Sequence, residues 1–332
     1  MLGLVQEPQR RHSHKRKYPF QALSFWSSAA LNLALLALSA VKYDSETLCE
    51  PRTGQRKSSA HRLRASRRAP LASTSALQPS PALRDATASS GAARRLNMAA
   101  DTPPDPKFIF FDCDDTLYRN DWKTGDRLTQ KIAAYTESEL GVDGAKAYEL
   151  YKTHGTCLKG LLAEGLLPRD RIEEYLAAVH DVSLEEIGPD PAMRAIVEAC
   201  RTKADRFVFT ASISEHAKRC LERVGVDDLF TCIIDTRTCD LETKHSRIAF
   251  EKAMRAADAS DASQCMLIDD SVKNIRTAKS LGWTTVLIGK HERDTGNAFA
   301  CPEADYHIDD VYELPSVMPH LFPSLKPPYP RP

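Results

Sequence analysis

The chain has 332 residues, room for two domains or for one domain with a large appendage, and too many for a small disulfide scaffold. Its 45 Lys and Arg balance 45 Asp and Glu, but residues 1–100 hold 16 basic against 5 acidic groups, which leaves 29 against 40 in the remainder. A basic arm on an acidic body argues against nucleic-acid binding by the body, since such surfaces are normally basic.

Between Lys17 and Lys42 run 24 uncharged residues, preceded by Arg10, Arg11, Lys15, Arg16 and Lys17. The apolar segment 19–41 within them reads as a signal-peptide core or a membrane-spanning anchor. From Pro51 to Leu96 the chain is rich in Arg, Ser and Ala with one acid, Asp85, a composition that cannot build a core. Residues 1–100 are therefore expected to be a targeting or disordered extension, resembling the bipartite presequences of plastids bounded by extra membranes. A start at Met98 and a cytoplasmic location compete with that reading, as does retention of the segment as a membrane anchor.

Beyond Pro106 the pattern becomes regular. Apolar runs at 107–111, 206–210, 231–235, 265–269 and 284–288 are separated by helix-length segments, which predicts an α/β fold around a Rossmann-like parallel sheet. Ligands in such folds gather at the carboxyl ends of the strands. Those ends carry Asp112, Asp114 and Asp115, then Thr210 to Ser212, then Asp269, Asp270 and Ser271 with Asn274 a turn later. Carboxylates converging at one end of a sheet repel unless a cation sits among them, and hard oxygen ligands favour Mg2+. Ser271 reads as a helix N-cap.

Roughly ninety residues after the first strand lack any strand-like run. Amphipathic spacing replaces it, at Leu128, Ile132, Tyr135 and Leu140, at Ala147, Leu150 and Tyr151, and at Ile172, Leu176 and Val179. A helical cap at 119–203 is expected, between core segments 107–118 and 204–322, with a Pro-rich tail at 323–332; a cap so placed can exclude water and read the substrate. A helix through Tyr151 to Lys159 would put Lys152, Thr156 and Lys159 on one face, either simply solvated or looking into the site as substrate contacts. Nine cysteines without a Cys-x-x-Cys pair or a His at zinc-finger spacing argue against a structural zinc site and a disulfide framework, and for buried thiols in a reducing compartment.

In this order the residues form a signature. Asp112-x-Asp114-x-Thr116, Thr210, Lys244 and Asp269-Asp270-x-x-x-Asn274 resemble the four motifs of the haloacid dehalogenase-like phosphohydrolases with a cap after the first strand. The stretches Tyr151 to Leu161, Ala249 to Met254 and Glu313-Leu314-Pro315 are similar to the pyrimidine 5′-nucleotidase subgroup, and the similarity spans 107–322. The resemblance implies a Mg2+-dependent phosphomonoesterase acting on a small phosphorylated metabolite, a nucleoside monophosphate in the subgroup. Asp112 would be the nucleophile and Asp114 the acid and base, with Thr210 and Lys244 holding the phosphoryl oxygens. Mg2+ would be bound by Asp112, the Asp114 carbonyl and Asp270, with Asp269 beside it, and Thr116 and Ala211 would lie near the substrate. Two positions depart from the family: Ala211 stands where Asn is usual and His245 where Pro is usual, which could weaken a hydrogen bond near the phosphoryl group and loosen the loop presenting Lys244. Dehalogenation of a C–X bond is disfavoured, because it needs neither Asp114 nor a metal. A non-catalytic phosphometabolite-binding module is disfavoured by the intact acids and lysine.

Overall fold

The computed structural model describes residues 94–95, 105–200 and 204–332. The apolar segment 19–41, the stretch Pro51 to Leu96 apart from residues 94 and 95, and Met98 lie outside them. Among the described residues no helix is long and apolar enough to cross a membrane.

The strands are β1 (Arg94–Arg95), β2 (Phe108–Phe111), β3 (Asp205–Phe209), β4 (Cys232–Ile234), β5 (Cys265–Asp269), β6 (Thr284–Ile288) and β7 (Tyr306–Ile308). They form one sheet in the order β1-β7-β6-β5-β2-β3-β4, parallel throughout except for β1, which runs antiparallel along β7. The chain builds outward from β2 through β3 to β4, then crosses back to add β5, β6 and β7 on the other side. β2 is thus the switch point, where a crevice opens at the carboxyl ends.

Each central strand is apolar on both sides because both faces are covered. On one face Ile109, Phe111, Val208, Met266 and Ile268 pack with Met193, Ile196, Val197, Cys220 and Leu221. On the other, Phe110, Phe207, Phe209 and Leu267 pack with Phe250, Ile275 and Trp283. The helices that supply these partners, Trp283 of the turn before β6 apart, are α5 (Pro191–Ala199), α6 (Ser214–Val224), α7 (Arg247–Ala256) and α8 (Val272–Ser280); a short α9 (Leu314–Val317) follows β7. The Phe110 and Trp283 ring centroids lie 4.6 Å apart in a tilted contact and those of Phe250 and Trp283 5.0 Å apart edge to face, a buried aromatic cluster against the sheet. The strand β7 was not expected: three residues with a histidine in the middle give no apolar run, and its place is secured by the β6 ladder and by a hydrogen bond between His307 Nε2 and the Gly289 carbonyl at 2.7 Å.

The insertion after β2 carries α1 (Lys123–Leu140), α2 (Gly144–His154), α3 (Cys157–Ala163) and α4 (Ile172–His180). These helices share a separate core of Tyr135, Leu150, Leu158, Leu161, Tyr175 and Leu176 among others. α5 falls within the span expected for the cap, yet its buried side chains belong to the sheet core. The single helix expected through Tyr151 to Lys159 is instead two. Gly155 ends α2 with φ 89°, and Thr156 opens α3 by accepting a hydrogen bond from the Lys159 amide at 3.1 Å. A left-handed glycine followed by a Ser/Thr-type cap is a stop and a start signal in succession.

Candidate active site

The parallel register aligns the carboxyl ends of β2, β3 and β5, and so delivers Asp112, Thr210 and Asp269 to one place. Asp112 follows β2 directly and its amide donates to the Ile268 carbonyl at 2.9 Å. Lys244 comes from the loop before α7 and is 4% exposed. Its ammonium lies 2.7 Å from Asp112 Oδ1 and 2.8 Å from Asp269 Oδ2, and donates to the Phe209 carbonyl at 3.0 Å. Burial penalises this cation, but Asp112 and Asp269 hold it above its ordinary value, so it stays charged.

Asp269 is fully buried and spends both oxygens inside the protein. Oδ1 accepts from the Ser271 amide at 2.8 Å and Asn274 Nδ2 at 2.9 Å, while Oδ2 takes Lys244. It orients Lys244 and Asn274. Ser271 sits at the N-cap position of α8 but makes no capping hydrogen bond through its side chain, so the cap expected there is replaced by the amide bond to Asp269.

Carboxylate oxygens of Asp112, Asp269 and Asp270 lie within 4.8 Å of one another. Burial, followed in effect by Asp112 and Asp269, drives the Asp270 carboxyl well above its usual range. Asp112 is pushed up to about 7 by burial, with Lys244 opposing and Asp269 adding to the rise. Lys244 alone does not compensate this concentration of acids. A hard divalent cation would, and an all-oxygen donor set is the one Mg2+ takes, so the residues fit that ion.

Asp114 faces a different environment. It accepts hydrogen bonds from the Tyr118 hydroxyl at 2.5 Å and Ser212 Oγ at 3.0 Å, and pairs with His216 Nε2 at 2.9 Å. Burial favours its neutral form, but His216, Tyr118 and Ser212 together outweigh burial and hold the carboxyl well below the usual range. Burial likewise works against the His216 cation, and Asp114 overrides it, raising the imidazole to about 10. The next residue, Asp115, adopts φ 57°, a left-handed conformation that Asp tolerates better than most residues.

The other expected site residues, Thr210 apart, are dispersed. Thr210 is buried beside the cluster and its hydroxyl accepts from the Ser212 amide at 3.0 Å; Ala211 is exposed. Thr116, expected near the substrate, is fully buried with its hydroxyl unpaired. In the cap, Lys152 pairs with Asp294 at 3.0 Å and Lys159 with Glu242 at 2.6 Å, both on the sheet domain, while Thr156 caps α3. The break at Gly155 is what separates these three onto two helices. Beside Lys244, the His245 amide donates to Thr243 Oγ1 at 3.3 Å, and Gly155 of the cap lies against both side chains.

His216, Tyr118 and Ser212 were not singled out as site residues by the sequence. The available signal was positional: Ser212 and His216 are two and six residues past Thr210, at the start of the helix that follows a polar strand end.

The profile of the haloacid dehalogenase-like hydrolases matches residues 106–282. The chain belongs to that family. Phosphate metabolism protein 8 of Saccharomyces cerevisiae is 29% identical over 253 residues, which cover 68% of this chain and 78% of the yeast protein. Among solved structures, β-phosphoglucomutase of Clostridium difficile is 16% identical with a TM-score of 0.45, covering 66% of this chain and 98% of its own. A HAD phosphatase of Thermococcus onnurineus is 21% identical with a TM-score of 0.41, covering 64% and 97%.

Proposed function

We propose that this hydrolase is a Mg2+-dependent phosphomonoesterase working through an aspartyl-phosphate on Asp112, with a nucleoside 5′-monophosphate, a pyrimidine one by resemblance, as substrate. The reading is carried by Asp114, a second carboxylate two residues beyond the nucleophile and held by three donors. Removal of a halide needs no such group.

Lys244 restrains one oxygen of Asp112 and leaves the other to attack phosphorus, forming the O–P bond as the ester P–O bond breaks. Thr210 holds a phosphoryl oxygen as a preorganised donor, and Lys244, whose three N–H groups go to Asp112, Asp269 and the Phe209 carbonyl, offsets the phosphoryl charge. The leaving alkoxide needs a proton, and Asp114 is ionised at rest. His216 carries one and shares a 2.9 Å hydrogen bond with Asp114, so the proton passes from His216 through Asp114 to the leaving oxygen. Asp114 then takes the proton of the water that attacks phosphorus, which releases phosphate and restores Asp112. Asp112, the Asp114 carbonyl and Asp270 would hold Mg2+, which would supply charge neutralisation for the phosphoryl group. The cap, through Lys152, Thr156 and Lys159, is where we place discrimination among esters, since the strand ends meet only the shared phosphoryl group.

The test is hydrolysis of an aryl phosphate and of a panel of nucleoside and other monophosphates with and without Mg2+. Metal-dependent turnover, abolished in Asp112→Asn and at least about a hundredfold reduced in Asp114→Asn, is expected. Preference for a non-nucleotide ester would keep the phosphatase and discard the nucleotide. Binding of esters with no hydrolysis would favour a regulatory module.

A further inference from the structure

Behind the oxygen-lined cluster lies a donor set of another kind. Cys113 Sγ, Cys220 Sγ and a carboxylate oxygen of Asp114 lie within 4.8 Å of one another. His216 Nε2 stands 2.9 Å from Asp114 Oδ1 and 3.6 Å from Cys220 Sγ. Two distant segments build the group: Cys113 and Asp114 leave β2 together, and His216 and Cys220 are four residues apart on α6, hence on one face of it. Neither cysteine is in a disulfide, and both are fully buried with His216. The far ring nitrogen of His216, Nδ1, is buried without a partner, so no hydrogen bond there fixes the ring against adjustment. The Asp114 side chain retains 22% exposure and gives an entry path.

Phosphoryl transfer has no use for two thiols. Two sulfurs, an imidazole and a carboxylate are a set that Zn2+ and its heavier congener Cd2+ take four-coordinate, and that Mg2+ does not. Tetrahedral zinc would need the sulfurs about 3.8 Å apart, a contraction of at most about 1 Å that side-chain rotation can provide. We propose that Cys113, Asp114, His216 and Cys220 form an inhibitory site for a thiophilic divalent cation, Zn2+ or Cd2+, distinct from the Asp112–Asp269–Asp270 oxygen cluster. The two thiols and the His216 imidazolium each lose a proton to solvent on binding. The bound ion withdraws the Asp114 carboxylate and the His216 nitrogen from proton transfer, and that consequence rests on the phosphatase reading above. Because the Asp114 side chain is not among the oxygens assigned to Mg2+, excess Mg2+ does not relieve the inhibition.

The experiment uses the full chain, reduced, at saturating Mg2+. Cd2+ is titrated while the cadmium–thiolate charge-transfer absorption is followed in the ultraviolet, in wild type, Cys220→Ser, Cys220→Ala and Cys113→Ser, each checked for wild-type circular dichroism. Zn2+ inhibition of aryl phosphate hydrolysis is measured in wild type and the two Cys220 variants, whose turnover without Zn2+ stays unchanged. The expected result is a band saturating at one equivalent in wild type and lost in every folded variant, with the inhibitory Zn2+ concentration raised tenfold or more by either Cys220 substitution. Absence of the band, or its persistence in the Cys220 variants, overturns the site. A cysteine-dependent band without inhibition keeps the site but overturns its inhibitory role and Asp114 as the proton carrier. A protein that binds Cd2+ in this way yet hydrolyses no ester refutes the phosphatase reading alone.

Discussion

At the scale of single residues, the site depends on which side chains are held charged in a buried place. His180, at the end of α4, shows the opposite behaviour to His216, although the rings lie 5.6 Å apart. Burial, partly opposed by the Leu176 carbonyl and reinforced by His216, lowers the His180 pKa to about 4. Its folded value lies below its unfolded one, so between these values the unfolded chain binds more protons. The contribution to stability is present above about pH 6.5 and is lost as pH falls through about 4, by about 1–3 kcal/mol. His180→Asn, whose amide can keep the bond to the Leu176 carbonyl, should lose less stability on acidification than wild type when urea unfolding is compared at neutral and acid pH. An identical loss would mean that His180 is protonated in the fold. The acids at the strand ends were legible because carboxylates at the ends of apolar runs stand out along the chain. The distant partners of Asp114 were not, because Ser212 and His216 meet it only after β3 and α6 are laid against the β2 loop.

At the scale of elements, the strands that were legible are those that lie in apolar runs, most plainly β5 and β6, whose five residues are all buried. The short β7 and the α2–α3 break were not, because one depends on ladder pairing and the other on a single glycine. That glycine has two constraints. Gly155 has φ 89°, and a Cβ there would sit 2.7 Å from His245 Nδ1 and 3.1 Å from Thr243 Oγ1, on the loop that presents Lys244. The left-handed conformation alone costs an alanine about 1–2 kcal/mol, and the contact adds to it. Gly155→Ala should therefore lower the thermal midpoint and reduce turnover of even a small aryl phosphate, through the Lys244 loop. Unchanged melting would show that the cap junction relaxes freely. Thr156→Ala should cost about 1 kcal/mol through the lost helix cap, so changes in its substrate preference have to be read against that loss.

At the scale of the whole molecule, every residue assigned to chemistry lies between Asp112 and Asn274, inside the two-faced sheet and its cap. A fragment spanning residues 98–332 should fold and turn over at the rate of the full chain. It lacks β1, which pairs Arg94 with His307 and Arg95 with Tyr306, so the free edge of β7 is the place where the fragment would self-associate. A fragment that is inactive while the full chain is active would make the preceding segment part of the enzyme. The charge asymmetry between residues 1–100 and the rest is legible without any structure.

The central claim is that Asp112 carries the phosphoryl group, and the direct measurement is to trap it there. The full chain is mixed with a radiolabelled phosphate monoester and Mg2+, quenched in acid within a turnover and mapped by peptide after borohydride reduction of the acyl phosphate. The account predicts label, and then the reduced residue, at position 112, and neither in Asp112→Asn. Rapid turnover with no trapped label, or label on another side chain, would contradict it.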